Sequence, residues 1–500
     1  MQCLARGQLD QARAALAKPV RGPAKDTGSE QDFVRMLIAL RAGDLAAAEA
    51  AADAALAAGL PFDRLRLGPR EWLRPLQERE RFAVWRAKRE PLPQLVHGPM
   101  VGAVTDHSAR VWVRTAQPAV VSVTLGRDSS GKGDEAGDDV RVQDARSSAS
   151  TDFTAVVSIA GLAANRSYPY KVWVDGVPAG GGVLRTFPTA GKAAQFTVAF
   201  GGGAGFVPAW ERMWDVIRNR DPLAMLMLGD NVYIDQPEHV ETQRYCYYRR
   251  QSRPEWRRLT AQTSMFAIYD DHDFGTNDCV PGESMETPAW KRSVWQVFCQ
   301  NWVNPSYGGG AAQPGCWFES LIGDVQFFFL DGRYYRDRKA QSMLGAAQKK
   351  WLLDCLQQST ATFKVIATPV PVTAHIKPGS KDPWDGYPEE REQILSFVAE
   401  EEIDGVFWIS GDRHRTDVRR TARSVGYDVV EWTSSKLTNR HTHKVVPGAG
   451  LVKGFNRQCS FALMHFDTTQ EVPTVRLECV ALDGKTQFES ELKLSELQVR

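Results

Sequence analysis

Four short apolar runs, each followed by an aspartate, constrain the fold of this 500-residue chain more than any other feature. The first runs from Leu223 to Leu228 and precedes Gly229 and Asp230. Uninterrupted apolar runs of this length, bounded by turn residues, are typical of strands buried on both faces of a parallel sheet. Functional groups in such sheets lie just beyond the carboxyl ends of the strands. The sequence therefore predicts a layered α/β core with Asp230 at a sheet edge, although a turn aspartate would suit the same position.

The other three runs repeat this pattern with different polar residues. They are Ala267 to Tyr269 before Asp270–Asp278, Gln326 to Leu330 before Asp331–Asp337, and Val406 to Ile409 before Ser410–His414. Strand ends that bring carboxylate, amide and imidazole groups together are what a polynuclear metal site requires. Arg333 adds a planar cationic fork that suits a phosphate. These patterns predict a metal centre built from separate strands.

Composition limits the classes of function. A net charge of +1 gives no bulk attraction to nucleic acid or to acidic membranes. The sequence contains no uninterrupted run of about 18 apolar residues, so it does not predict a membrane-spanning helix. The eight cysteines include no CxxC pair, which argues against a zinc ribbon, and their spacing leaves one or two disulfides open. At this length we expect two to four domains.

Three segments differ in their patterning. Residues 1–92 have Ala and Leu at helical spacing and resemble tetratricopeptide repeats, although a helical cap on the next domain is an alternative. Residues 93–190 alternate apolar and polar, as in an immunoglobulin- or fibronectin-like β-sandwich, with an exposed hairpin loop expected from Arg127 to Ser150. Residues 191–500 alternate strands and helices. We therefore expect a multidomain α/β protein with these boundaries.

Several ordered motifs resemble those of the PhoD-like alkaline phosphatase family, a branch of the calcineurin-like metallophosphatases. The matching segments are LGDNVY at 228–233, YDDHDFGTND at 269–278, LDGRYYRD at 330–337, DPWDGYPEER at 382–391, ISGDRHRTD at 409–417 and TSSKLTN at 433–439. The resemblance covers residues 93–490 and implies a sandwich domain followed by a four-layer αββα catalytic domain. It leaves the helical first 92 residues uncovered.

The resemblance also implies roles for particular residues. Asp230 would bridge two metal ions, and Tyr233 and His414 would bind the first ion. Asn277, Asp271 and Asp412 would bind the second ion, His272 would be the general acid, and Arg333 would hold a phosphate oxygen. Three of these have simpler alternatives: a stacked loop aromatic for Tyr233, a structural imidazole for His272, and a surface ion pair with Asp337 for Arg333.

One departure from the family pattern concerns the identity of the metals. The family commonly has a cysteine ligand after its first core strand, whereas this chain has Gly201, Gly202 and Gly203 there. Backbone amides of such a loop can cradle an anion instead. Without the thiol, calcium, manganese and magnesium gain over iron, and zinc stays open.

The predicted activity is hydrolysis of phosphate mono- or diesters, small or polymeric, by a metal-bound hydroxide at a di- or trinuclear site. Two alternatives remain. In a nuclease-type phosphodiesterase, the segment YCYYRRQSRPEWRR at 245–258 would stack bases. In a catalytically degenerate binding protein, the N-terminal helices and the sandwich domain would dock a protein partner. The family resemblance implies a periplasmic or extracellular location, while the first residues, MQCLARGQLDQ, lack a signal-peptide pattern.

Overall fold

A computed structural model describes residues 1–18, 29–126 and 141–499. The expected hairpin loop at 127–150 lies outside the described residues as far as residue 140, and its last part forms short strands. The first helices follow the Ala- and Leu-rich patterns of the sequence. They are α1 Gln2–Ala5, α2 Leu9–Ala17, α3 Glu30–Arg41, α4 Leu45–Ala57, α5 Asp63–Leu67, α6 Arg70–Gln77 and α7 Glu80–Ala87.

Strands dominate the next hundred residues. They are β1 Leu95–Gly102, β2 Ser108–Thr115, β3 Ala119–Leu125, β4 Arg141–Gln143, β5 Ala145–Ser147, β6 Thr154–Ala160, β7 Ser167–Val174 and β8 Val177–Arg185. The alternation in β7 does place Tyr168, Tyr170, Val172 and Val174 on one buried face. The sequence did not predict β8, because glycines occupy its centre.

The remainder alternates strands and helices, as predicted. The elements are β9 Gln195–Gly201, α8 Met213–Arg218, β10 Ala224–Leu228, α9 Val240–Gln251, α10 Pro254–Thr260, β11 Ser264–Ile268, α11 Asp271–Phe274, α12 Trp290–Asn301, β12 Phe318–Ile322, β13 Val325–Phe329, α13 Ala346–Gln358, β14 Phe363–Thr368, α14 Pro388–Glu400, β15 Val406–Ser410, β16 Thr416–Thr421, β17 Val429–Ser434, β18 Leu451–Phe455, β19 Ser460–Asp467, β20 Thr474–Ala481 and β21 Thr486–Lys493. All four aspartate-terminated runs form strands, namely β10, β11, β13 and β15.

The described strands form two large sheets and a small one. The ten-stranded sheet has the order β21-β20-β19-β9-β10-β11-β1-β2-β6-β4, and the seven-stranded sheet has the order β12-β13-β14-β15-β17-β16-β18. The strands β9, β10 and β11 are parallel, as are β13, β14, β15 and β17. Strands β5-β3-β7-β8 form the third sheet. Each large sheet thus has a parallel centre whose carboxyl ends can carry functional groups.

The two large sheets pack face to face through aromatic rings. Phe466 on β19 lies 5.9 Å from Phe327, 5.9 Å from Phe363 and 6.5 Å from Phe407, measured between ring centroids. Helices α13 and α14 cover the outer face of the seven-stranded sheet with buried leucine, isoleucine and valine side chains. Helices α9 and α10 contact the ten-stranded sheet at β1. The result is a layered arrangement of helices, sheet, sheet and helices.

The sandwich was expected to be separate from the following domain, but in the structure its strands are shared. Strand β1 pairs in parallel with β11 where Gly102 lies opposite Met265, so β1, β2, β6 and β4 extend the sheet that contains β10. Periodicity predicts that a segment forms a strand, but it does not predict which strand will pair with it.

The base-stacking interpretation of residues 245–258 is not supported. Tyr245, Tyr247 and Tyr248 are 2%, 3% and 1% exposed, and Arg250 forms a buried ion pair with Glu211 at 2.8 Å. Because these rings pack inside the protein, they are not available to bases. The rings of α9 instead receive the N-terminal helices: Tyr245 stacks on Phe33 at 6.0 Å and donates a hydrogen bond to Glu30.

In the described part of the chain, no helix is long and apolar enough to cross a membrane. The eight cysteines, all within the described residues, are free thiols. The disulfides that the sequence left open are therefore not formed in the structure.

Candidate functional site

The carboxyl ends of the parallel strands from both sheets meet at one place. Gly411 after β15 lies so close to β10 that an added Cβ would be 2.7 Å from the Leu228 carbonyl oxygen. Gly229 has φ +90°, and an added Cβ there would lie 2.5 Å from the Cβ of Asp270. Glycine is required at 229 because the chain turns in the left-handed region against the end of β11. The loops that carry Asp230, Asp270 and Asp412 are thus brought together.

Three predicted metal ligands have unusual backbone conformations. Asp230, Asp412 and His414 have φ values of +51°, +60° and +43°. Positive φ costs free energy for a non-glycine residue, and such residues concentrate at functional sites, where surrounding packing holds them. These turns follow β10 and β15, the parallel strands of the two large sheets whose carboxyl ends lie close together.

Asp230, Tyr233 and His414 form the first group of predicted ligands. The Tyr233 hydroxyl donates to Asp230 Oδ2 at 3.0 Å and lies 2.8 Å from His414 Nε2. His414 Nε2 is 3.8 Å from Asp230 Oδ2. Asp230 Oδ1 and His414 Nδ1 are buried without a hydrogen-bond partner. Buried polar atoms are seldom left unpaired, so these two fit a bound cation.

The electrostatics of this group also fit a cation. Burial raises the pKa of Asp230 to about 8; attraction to His272 opposes this change, and repulsion from Asp271 and Asp412 adds to it. Burial lowers the pKa of His414 to about 4, although Asp412 opposes the change. A cation at this position would lower the pKa of Asp230 and favour its ionised form. The neutral form of His414 is the one that binds metals.

Asp230 also belongs to a second group of ligand atoms with Asp271 and His272. One ligand atom from each lies within 4.8 Å of the others. Asp271 begins helix α11, and its oxygens accept hydrogen bonds from the backbone N–H of His272 at 3.0 Å and Asp278 at 2.6 Å. Burial alone would raise the pKa of Asp271, but Arg333 and His272 hold it below its ordinary value. Asp230 therefore has the position of a bridging ligand between two groups.

His272 is oriented by a residue that the sequence analysis did not single out. Asp235 Oδ1 lies 2.5 Å from His272 Nδ1, and the imidazole packs on Tyr233 with 4.4 Å between ring centroids. Burial alone would lower the pKa of His272, but Asp230, Asp235 and Asp271 raise it to about 11. Asp235 lies two residues beyond the motif LGDNVY, so its position after Tyr233 was the available signal.

Two other predicted ligands lie less centrally. Asp412 is 3.2 Å from Arg413 and 4.0 Å from Lys377, and its charge raises the pKa of Asp230. Asn277 is exposed in the turn after α11. That position gives no support to its predicted metal role. The amide that reaches the site is Asn439, whose Nδ2 lies 3.3 Å from His414 Nε2.

Arg333 is neither exposed nor paired with Asp337. Its guanidinium is fully buried and donates to Asp270 at 2.5 Å and to both oxygens of Asp382 at 2.7 and 3.2 Å. It also lies 3.7 Å from Asp271. These contacts occupy the N–H groups that a phosphate oxygen would need. The structure therefore favours a positioning role for Arg333, beneath Asp270 and Asp271, over the predicted phosphate contact.

The fourth strand-end aspartate, Asp331, is a turn residue. It accepts hydrogen bonds from the backbone N–H of Arg333 at 2.8 Å, Tyr334 at 2.9 Å and Cys316 at 3.0 Å, and another from the Tyr269 hydroxyl. With its oxygens satisfied in this way, Asp331 caps the loop after β13. Of the four aspartates in the repeated sequence pattern, Asp331 therefore has a structural role and is not a candidate metal ligand.

The glycine loop after β9 offers neither a side-chain ligand nor the expected anion cradle. Gly203 has φ +63°, and an added Cβ would lie 2.0 Å from the Ser435 carbonyl oxygen and 3.0 Å from His414 Cδ2. The amides of Gly202, Gly203 and Ala204 donate to backbone carbonyls at 3.0, 3.3 and 2.7 Å. The prediction of an anion cradle there was wrong, because those N–H groups join the strand ends to one another.

The N-terminal helices reach the edge of the site. Gln2 Nε2 donates to Asp235 Oδ2 at 3.2 Å, and Arg6 Nε donates to Gln236 at 3.1 Å. A cleft of about 390 Å³ between these helices and α9 includes Tyr233 in its wall. The carboxylate that orients His272 is therefore also held by helix α1.

A family model described as PhoD-like phosphatase matches residues 196–446, just over half of the chain. The chain belongs to the PhoD-like phosphatase family. A domain of unknown function, DUF7800, matches residues 92–189 of this family member. Alkaline phosphatase D of Bacillus subtilis (strain 168) is 24% identical over 329 residues, which cover 55% of this chain and 55% of that protein. The chain thus spans about half the length of this curated relative.

Two solved structures share the fold of this PhoD-like chain. The structure of PhoD has a TM-score of 0.69 at 16% identity, covering 82% of this chain and 92% of that one. The purple acid phosphatase PPD1 from yellow lupin (Lupinus luteus) seeds has a TM-score of 0.56 at 12% identity, covering 80% and 74%. At these identities the likeness establishes the metallophosphatase fold.

We expect Arg333→Lys to weaken metal binding and to lower stability, because an ammonium group does not reproduce the fork that joins Asp270 to Asp382. Lysine keeps the charge but leaves buried carboxylate oxygens without a donor, which costs about 1–3 kcal/mol. Thermal unfolding and metal titration of the variant measure both effects. If the variant has wild-type stability and metal affinity but a raised KM for a phosphate ester, the predicted contact of Arg333 with phosphate would be supported instead.

We expect Asp235→Asn to lower the pKa of His272 in the metal-free protein, because the neutral amide no longer stabilises the imidazolium. A raised pKa means that the charged imidazole stabilises the fold fully below its ordinary pKa of about 6.5, and that this contribution is lost as the pH rises towards about 11. NMR titration of the His272 ring protons measures the change. An unchanged midpoint would show that Asp235 does not set the protonation of His272.

Proposed function

We propose that this chain hydrolyses phosphate esters with at least two bound metal ions. The observation that carries the proposal is the meeting of Asp230, Tyr233, Asp271, His272 and His414, with Asp230 Oδ1 and His414 Nδ1 left unpaired. Asp230 would hold both ions, Tyr233 and His414 would complete the first, and Asp271 would complete the second. When bound, such ions neutralise phosphate charge and lower the pKa of water from about 15.7 towards about 7.

His272 has the geometry of a proton donor. Asp235 engages Nδ1, which leaves Nε2 to hold the proton that a departing alkoxide requires. In the metal-free protein, the neighbouring carboxylates raise the pKa of this imidazole. The same Nε2 could instead bind the second ion, since His272 lies within the group of Asp230 and Asp271. The choice between these roles is open to experiment.

Other groups would hold the substrate anion in place of Arg333. Lys377 Nζ lies 3.2 Å from Asp278, 3.7 Å from Asp382 and 4.0 Å from Asp412, with a side chain that is 20% exposed. Arg413 follows Asp412, and its Nε has no hydrogen-bond partner. Both cations border the metal ligands, so we assign them to the phosphate oxygens. This assignment replaces the sequence-based one for Arg333.

We also propose an architecture for the rest of the chain. Residues 1–92 form a helical, tetratricopeptide-like segment, residues 93–190 form an immunoglobulin-like sandwich, and residues 191–500 form the catalytic unit. The seven helices α1–α7 and the strands β1–β8 support this division, and the sheet shared through β1 and β11 ties the second unit to the third. A protein partner for the helical segment stays a prediction.

We expect the purified chain, supplied with divalent metal ions, to hydrolyse bis(p-nitrophenyl) phosphate or p-nitrophenyl phosphate. Asp230→Ala should lose both metal ions and reduce turnover by roughly 1,000-fold, since about 4 kcal/mol of charge stabilisation is removed. Asp354→Ala is the matched control, because Asp354 pairs only with the exposed Lys350. Absence of turnover with every metal and both esters would refute the hydrolase and leave a binding protein.

We expect His272→Ala to retain two metal ions and to slow hydrolysis by about 10²–10⁴-fold for esters with poor leaving groups. Esters with good leaving groups need little protonation, so their rates should change less. The measurement is a leaving-group series on matched phosphodiesters, together with metal analysis. Loss of one metal ion, with equal effects on all esters, would make His272 a ligand instead.

A further inference from the structure

A third group of candidate ligands lies beside the first group. It shares His414 with that group and adds His441 and His443, which the proposed reaction does not use. His414, His441 and His443 each offer a ring nitrogen, and these nitrogens lie within 4.8 Å of one another. The ring centroids are 5.4 Å apart for His414 and His441, 5.4 Å for His414 and His443, and 4.5 Å for His441 and His443. Sequence analysis missed this triad because His441 and His443 are far from His414 in the chain.

Hydrogen bonds between side chains and backbone groups hold His441 and His443, the two outer histidines, in place. They lie in the connection between β17 and β18. The Asn439 side chain accepts from the backbone N–H of His441 at 2.9 Å, and Asn456 Nδ2 donates to the His443 carbonyl at 2.9 Å. Thr442 donates to the His414 carbonyl at 3.4 Å. The loop is thereby attached to the turn that carries His414.

The innermost imidazole has an unsatisfied nitrogen. His414 is 6% exposed, and its Nδ1 has no hydrogen-bond partner, while Nε2 contacts Tyr233 and Asn439. A buried nitrogen in this state indicates a missing polar partner. On another side of the ring, Gly203 packs too closely to admit a side chain.

We infer that His414, His441 and His443 bind one borderline divalent ion, of which Zn²⁺ is the representative. Three imidazoles suit zinc, copper or nickel better than calcium or magnesium, which prefer oxygen ligands. Zinc–nitrogen bonds of about 2.0–2.1 Å place tetrahedral ligands about 3.3 Å apart, so the triad closes with small side-chain movements. A fourth position would stay open to water or to a phosphate oxygen.

The charges near the triad allow such an ion. Arg413 is a cation close to the imidazoles and opposes a second positive charge, but its guanidinium lies 3.2 Å from the Asp412 carboxylate. The ion would share His414 with the metal centre proposed above and so would extend that centre. Its binding can nevertheless be measured without any turnover.

The test is zinc binding by the full-length, metal-stripped protein. The double variant His441→Ala/His443→Ala should lose one zinc equivalent or bind it at least about 100-fold more weakly, since removal of outer-sphere partners alone costs about 10–100-fold. His107→Ala is the control, because His107 is an exposed histidine paired with Asp106. Asp271→Ala should retain the zinc of the triad. Electron paramagnetic resonance of the Cu²⁺-loaded wild-type protein should show about three nitrogen ligands.

Equal zinc affinity and an equal Cu²⁺ spectrum in the wild-type protein and the double variant would overturn the inference. Because His441 is exposed and His443 is partly exposed, unchanged circular dichroism and thermal unfolding of the double variant will show that it folds. Zinc bound at the triad without hydrolysis of either ester would refute the hydrolase alone. Ester hydrolysis by a protein whose triad fails to bind zinc would refute this site alone.

Discussion

Buried negative charge is the constraint on which the rest of the site depends. Asp230, Asp270 and Asp271 are 2%, 1% and 4% exposed and lie at the junction of two sheets. Isolated carboxylates are costly to bury unless they are paired. Arg333 beneath Asp270 and Asp271, and His272 beside Asp230, offset part of that charge. Metal ions bound here would offset the rest and would therefore stabilise the fold.

The same constraint explains why so many loops are tied together. Asp273 accepts from the backbone N–H of Asn231 at 2.9 Å and of Val232 at 3.1 Å, which joins helix α11 to the loop after β10. The glycine loop after β9 donates to the ends of β10 and β17. Like charges repel, and these backbone hydrogen bonds hold the loops together against that repulsion. Metal ligands on separate strands can then keep their geometry.

The helical start of the chain is connected to this network. Helix α1 reaches Asp235, which holds His272, and α3 packs on α9 through Phe33, Glu30 and Tyr245. Glu30 is in turn held by the buried Arg64 at 2.5 Å. Movement of the N-terminal helices would therefore change the surroundings of His272. The apolar faces of these helices are used in internal packing.

The sequence by itself determined the four aspartate-terminated strands and the alternating elements around them, because apolar period and turn residues are local properties. It also singled out Asp230, Tyr233, Asp271, His272 and His414 as candidates, because they lie directly after such strands or within the motifs; their metal and catalytic roles stay predictions. Only the tertiary structure decided that Asn277 is exposed and that the Asn439 amide contacts His414. It also decided that Arg333 is buried against Asp382 and that His441 and His443 lie close to His414. Those contacts link residues from separate loops, and their distances depend on how two sheets pack, which no local pattern contains.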